Sequence, residues 1–140
     1  MIFHLHKANC KLCFKSFTVP VVKNGFTILY YNREINTFSF FNWDKDSEIK
    51  KLASDIINSN ENIQVLNDNS KGGTFKQIIS LMADGKWEVV DDNYRCPRCK
   101  FRLVNVSSEE KSTIDLNTLS FNNFLSNAKT ELSKLLEKLK

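Results

Sequence analysis

At 140 residues, with 41% hydrophobic and 11% aromatic residues and only two Pro, the chain is sized and composed for one packed domain, and its composition excludes a disordered polar tail. No apolar run approaches the roughly 20 residues that span a bilayer, and residues 1–12 are interrupted by His4, His6 and Lys7, which excludes a continuous secretory core; a soluble, cytoplasmic protein with no membrane contact is expected. The net charge of +4 is uneven: Lys7, Lys11, Lys15, Lys23 and Arg33 lie in residues 1–33, and Arg95, Arg98, Lys100 and Arg102 in residues 93–106, both stretches without an acid.

In chain order, Ile2, Phe3, His4, Leu5 and His6 read as a strand running into Cys10. His4 and His6 share one of its faces, and the geometry favours two polar residues on the solvent side of an edge strand over general bases or a second metal site. Residues 26–31 and 35–41 are β-rich and meet at Asn32-Arg33-Glu34, a hairpin. Residues 47–58 place Ile49, Leu52, Ala53, Ile56 and Ile57 at helical spacing behind an Asp46 cap. Ile63, Val65 and Leu66 read as a short strand before a Gly72-Gly73 turn. Thr74 and Gln77 form a capping box that opens a second helix through Phe75, Ile78, Ile79 and Met82, ending near Gly85. Trp87, Glu88, Val89 and Val90 lead into Cys96, and Phe101, Leu103, Val104 and Val106 lead away from Cys99.

Residues 107–115 are polar and read as a linker, followed by a C-terminal amphipathic helix over 116–140. Phe121, Leu125, Ala128, Leu132, Leu135 and Leu139 alternate spacings of four and three, widened by Phe124 and Leu136. Such a seam serves either a homodimer or a helix folded back on its own domain.

The four cysteines form two pairs, Cys10-Lys11-Leu12-Cys13 and Cys96-Pro97-Arg98-Cys99, with none left over. Each C-x-x-C turn brings two thiolates to one ion, and two turns complete a tetrahedral shell, so Cys10, Cys13, Cys96 and Cys99 are assigned to a structural zinc ion. Disulfides would need an oxidising compartment, and a redox C-x-x-C belongs at the start of a helix near a βαβ unit; the pattern favours metal over both. Two such knuckles, each set in a β-hairpin, resemble the zinc ribbon superfamily over residues 1–17 and 86–106. The 82 residues between Cys13 and Cys96 depart from that family's short connection. The resemblance therefore implies an α+β fold: a split zinc ribbon over 1–106 with a strand-helix-strand-helix insert at 18–85.

Catalytic signatures are missing from the sequence. There is no G-x-x-x-x-G-K, G-x-S-x-G or H-E-x-x-H, Ser70-Lys71-Gly72-Gly73-Thr74 is too generic for a phosphate loop, and Asp91-Asp92-Asn93 reads as a turn. A closed four-thiolate site leaves no position for substrate, so the chain is read as a binding protein and not as an enzyme. Lys11, Lys15, Arg95, Arg98, Lys100 and Arg102 crowd the knuckles, with Phe14, Phe17 and Phe101 available to stack on bases, and point to nucleic acid as partner. The same charge suits an acidic protein, which makes an inhibitor or immunity-type factor the second reading.

Overall fold

A computed structural model describes residues 1–45, 47–59, 68–126 and 137. Its strands form two antiparallel three-stranded sheets. In the first, β1 (Ile2–Cys10) lies between β2 (Ser16–Val21) and the late strand β6 (Val104–Asp115). In the second, β3 (Thr27–Asn32) lies between β4 (Thr37–Asn42) and the two-residue β5 (Glu88–Val89). Helices α1 (Ser47–Ser59) and α2 (Asp68–Met82) fall between β4 and β5 in the chain.

The second sheet is the middle layer, and the period-2 geometry of its strands shows why. Leu29, Tyr31 and Phe40 pack toward the first sheet with Phe3, Ala8 and Val19. Tyr30 and Phe41, one residue out of phase, pack toward Ile49, Ala53, Ile56, Phe75, Ile78 and Ile79 of the helices. A strand buried on both faces reads as a continuous apolar run, which is what Ile28, Leu29, Tyr30 and Tyr31 present. Several buried hydroxyls bond to backbone: Tyr30 Oη donates to Lys76 O at 2.8 Å, Tyr94 Oη to Pro20 O at 2.6 Å, and Ser39 Oγ to Asn117 O at 2.5 Å.

The mixed α+β character, the central hairpin and both helices agree with the sequence reading, but several boundaries differ. The hairpin turn is four residues, 33–36, with Asn32 opposite Thr37, so its second strand starts two residues later than expected. Helix α2 begins at Asp68 and runs through Gly72-Gly73, because burial of Phe75, Ile78, Ile79 and Met82 on one face outweighs the poor helix propensity of glycine. It ends as expected near Gly85: Asp84 turns left-handed at φ 88°, and Gly85 N–H closes back on Ser80 O at 2.9 Å. The Asp46 cap and the strand at Ile63, Val65 and Leu66 fall outside the described residues.

Residues 107–115 are not a linker. They belong to β6, which pairs with β1 from Cys10↔Val104 to Ile2↔Asp115, with two register shifts around His6. This strand escapes sequence reading because almost all of its side chains are exposed, and charged residues such as Glu109, Glu110 and Lys111 are what an edge strand carries against unwanted pairing. Its addition makes β1 central, so His4 and His6 do not lie on an edge strand. His4 Nδ1 pairs with Glu110 Oε1 at 2.5 Å, and His6 Nδ1 meets Ser107 O at 3.0 Å.

The C-terminal expectation is also corrected. Residues 116–121 are extended, with Leu116 N–H donating to Met1 O at 3.0 Å and Leu119 N–H to Phe40 O at 2.9 Å, and helix α3 (Asn122–Ser126) begins only afterwards. Phe121 and Phe124 are buried in the helical core, with the Phe121 ring edge-on to Phe41 at 6.0 Å. The start of the apolar seam is thus intramolecular, and Ala128, Leu132, Leu135 and Leu139 lie outside the described residues. No helix among the described residues is long and apolar enough to cross a membrane.

Candidate metal centre

Cys10 ends β1 and Cys13 sits in the turn joining β1 to β2, while Cys96 and Cys99 lie in the segment between β5 and β6. The first pair is therefore in a hairpin. The second is not, since its entry strand belongs to the middle sheet and its exit strand to the outer one. That exit holds the knuckles together: Val104 pairs with Cys10, and Lys11 N–H donates to Leu103 O at 2.7 Å.

The two turns repeat one hydrogen-bond scheme. Cys10 N–H donates to Lys15 O at 3.0 Å and Phe14 N–H returns to Cys10 O at 3.0 Å; Cys96 N–H donates to Phe101 O at 3.0 Å and Lys100 N–H returns to Cys96 O at 2.9 Å. Backbone N–H groups also point at sulfur, from Cys13 to Cys10 Sγ at 3.5 Å and from Arg98 to Cys96 Sγ at 3.4 Å. Donors aimed at a thiolate favour its charged form.

The four sulfurs converge within 4.8 Å of one another, with Cys10 Sγ 3.6 Å from Cys99 Sγ and Cys13 Sγ 3.5 Å from Cys96 Sγ. A disulfide requires about 2.05 Å, and all four thiols are free. A tetrahedral ion with metal–sulfur bonds of about 2.3 Å would set its ligands roughly 3.8 Å apart. The chemistry and spacing of this donor set fit a thiophilic metal ion.

Protonation follows the same geometry. The Cys13 N–H lowers the Cys10 thiol to about 6, against the opposing effect of burial. For Cys99 the Phe101 N–H pulls downward, yet burial and the three neighbouring thiols carry it up to about 11. Burial acts upward on Cys96 as well, but N–H donors from Cys99 and Arg98 leave it lowered. The cluster thus favours the thiolate at Cys10, shifts Cys96 in the same direction and keeps a proton on Cys99.

The six basic residues singled out from the sequence divide into two groups. Arg95 and Arg102 are engaged by Glu88: Arg95 Nε bonds Glu88 Oε1, Arg95 Nη1 donates to Lys100 O at 2.7 Å, and Arg102 Nη2 lies 3.4 Å from Glu88 Oε2. Arg33 Nε approaches the same carboxylate at 3.8 Å. Lys11, Lys15, Arg98 and Lys100 make no ion pair among the described residues and sit at the knuckle turns. Between them stand Leu12, Phe14, Phe101 and Leu103, all exposed, Phe14 at 82%.

Sequence reasoning missed Glu88 as the organiser of this region, and no sequence signal distinguishes it from the nearer Asp91 and Asp92. It also missed the left-handed backbone of Phe14 (φ 64°) and Lys100 (φ 67°). A signal for that existed, since both stand directly after the second cysteine of a pair. No protein-family model, no curated protein and no solved structure matches this chain.

Proposed function

We propose that this chain is a zinc-stabilised, non-catalytic binding module of split zinc-ribbon type that contacts nucleic acid through the face formed by its two knuckles. The observation that carries the reading is the set of four cations, Lys11, Lys15, Arg98 and Lys100, that cluster at the metal centre without an acidic partner among the described residues. A tetrathiolate zinc site has a formal charge near −2, so two cations would compensate it. Four exceed that need and favour a polyanion, and exposed Phe14 and Phe101 beside them add faces on which bases stack. Four thiolates fill the metal shell and leave no position for a reacting group, which argues for a structural ion. Free thiols at this spacing suit a reducing, cytoplasmic compartment.

A second reading is an inhibitor or immunity-type factor binding an acidic protein. It is favoured by the exposed aliphatic side chains of Leu12 and Leu103 on the same face, which nucleic acid does not need. One experiment separates the two: binding of single- and double-stranded DNA and RNA to the zinc-loaded protein at several salt concentrations. A nucleic-acid surface gives affinity that falls steeply with salt, and changing Lys11, Lys15 and Arg98 together to Ala lowers the slope by roughly three while zinc content is kept. Absence of retention near physiological salt removes nucleic acid as the partner and leaves the acidic protein.

A further inference from the structure

Beside the second knuckle a cleft of about 340 Å³ opens between β2, the β3–β4 hairpin and the knuckle itself. Phe17, Tyr31, Phe38 and Pro97 give it apolar walls, and Thr18, Asn36 and Arg95 give it polar groups. The Tyr31 and Phe38 rings lie 4.9 Å apart, and Phe38 also meets Tyr94 at 6.2 Å, so the aromatic wall is braced from behind. Tyr31 Oη donates to Asn36 Oδ1 at 2.6 Å, which occupies the amide oxygen and leaves the amide NH2 as a donor. The Arg95 guanidinium is held in place by Glu88 and by Lys100 O at 2.7 Å.

The volume stands at the lower end of the roughly 300–1,000 Å³ of small-molecule sites, room for one planar ring system and not for a folded segment. Aromatic walls, a fixed guanidinium plane and a donor at the rim are the groups that hold an unstacked base. The surroundings choose between this and a proline-rich peptide, which aromatic grooves also take. Arg98 follows the lining residue Pro97 directly, Lys15 lies two residues before the lining residue Phe17, and neither makes an ion pair among the described residues, so chain segments bearing unpaired cations adjoin the cleft and favour a polyanion. We infer that this cleft takes an unpaired nucleobase of a single-stranded nucleic acid whose phosphates lie along Lys15, Arg98 and the neighbouring knuckle cations. The inference rests on the nucleic-acid reading above and narrows it. Bases paired and stacked in a duplex cannot enter the cleft, so single strands are selected.

The test uses the zinc-loaded full chain and three probes of about twelve nucleotides: a single strand, the same sequence as a duplex, and a strand of abasic sugar-phosphate. Fluorescence anisotropy should show the base-bearing single strand binding more tightly than either other probe, by roughly 5- to 100-fold. Phe17→Ala should cut that preference several-fold and leave the salt-dependent binding common to all three, together with any stacking on Phe14 and Phe101. Phe38→Ala, which removes the facing aromatic wall from a half-buried position on β4, should do the same where Phe17→Ala impairs folding. Equal binding of the abasic strand, or a preference undiminished by both variants, overturns the cleft while the charged face still stands as a nucleic-acid surface. Retention of none of the probes overturns both.

Discussion

Phe14 and Lys100 stand at equivalent places in the two knuckles, each directly after the second cysteine and each in left-handed backbone, at φ 64° and 67°. For residues with a Cβ this region costs roughly 1–2 kcal/mol, and the knuckle bonds from Phe14 N–H to Cys10 O and from Lys100 N–H to Cys96 O hold it. Glycine adopts the same angles without that cost. Lys100→Gly and Phe14→Gly should therefore each raise the denaturant midpoint, by about 1 kcal/mol or less of stability. Phe14→Gly should at the same time weaken binding of single-stranded nucleic acid, a divergence of stability and affinity that separates backbone strain retained for contact from a turn of no consequence.

Metal loading should be inseparable from folding. About one ion per chain is expected by elemental analysis, and Cys10→Ser or Cys96→Ser should abolish the cooperative unfolding transition, since structural zinc contributes on the order of 10 kcal/mol in small sites. A metal-free protein with the full circular dichroism of the loaded one would contradict this.

The same centre should release protons when it loads. Cys10, lowered to about 6, is already largely thiolate at pH 7, whereas Cys99, raised to about 11, keeps its proton until the metal displaces it. The loaded state then holds fewer protons than the unloaded one, so apparent metal affinity rises with pH through the neutral range and falls as acid returns protons to Cys99 first and, below about 6, to Cys10. Metal titration in weakly buffered solution with a pH indicator measures the release directly.

Glu88 gathers Arg33, Arg95 and Arg102 around one largely buried carboxylate, its side chain 23% exposed. Removing it leaves Arg95, 20% exposed, without its ion-pair partner beside Cys96. Glu88→Gln should cost about 1–3 kcal/mol by thermal or denaturant unfolding. It should also strengthen retention of polyanions at low salt, because two more arginines of the knuckle face lose their internal partner. A variant with unchanged stability would place this ion-pair group among surface charges of little energetic weight.

Phe121 and Phe124 carry the chain after β6 onto the helical core, so their loss should act within one molecule. Phe121→Ala or Phe124→Ala should destabilise by roughly 3–5 kcal/mol and leave the molecular mass in solution unchanged. A change of mass by light scattering without a loss of stability would instead assign these rings to contact between chains.

Much of the protein was legible from local pattern alone. Two C-x-x-C pairs define a four-sulfur set whatever lies between them, because each turn presents its thiols within four residues, and α1 declares itself through the spacing of Ile49, Ala53, Ile56 and Ile57. The hairpin of β3 and β4 follows from two apolar runs and a polar turn. Three features depended on partners far away in the chain. Residues 107–115 form a strand only because β1 offers a ladder to their backbone, and exposed side chains carry no periodic record of such pairing. That pairing in turn moves His4 and His6 from an edge to a central strand. Arg95 and Arg102 become structural because β5 brings Glu88 beside them, a Coulomb relation that spacing cannot encode. The cleft at Phe17, Tyr31 and Phe38 is likewise a product of stacking one sheet on another, so its walls come from segments that no motif connects.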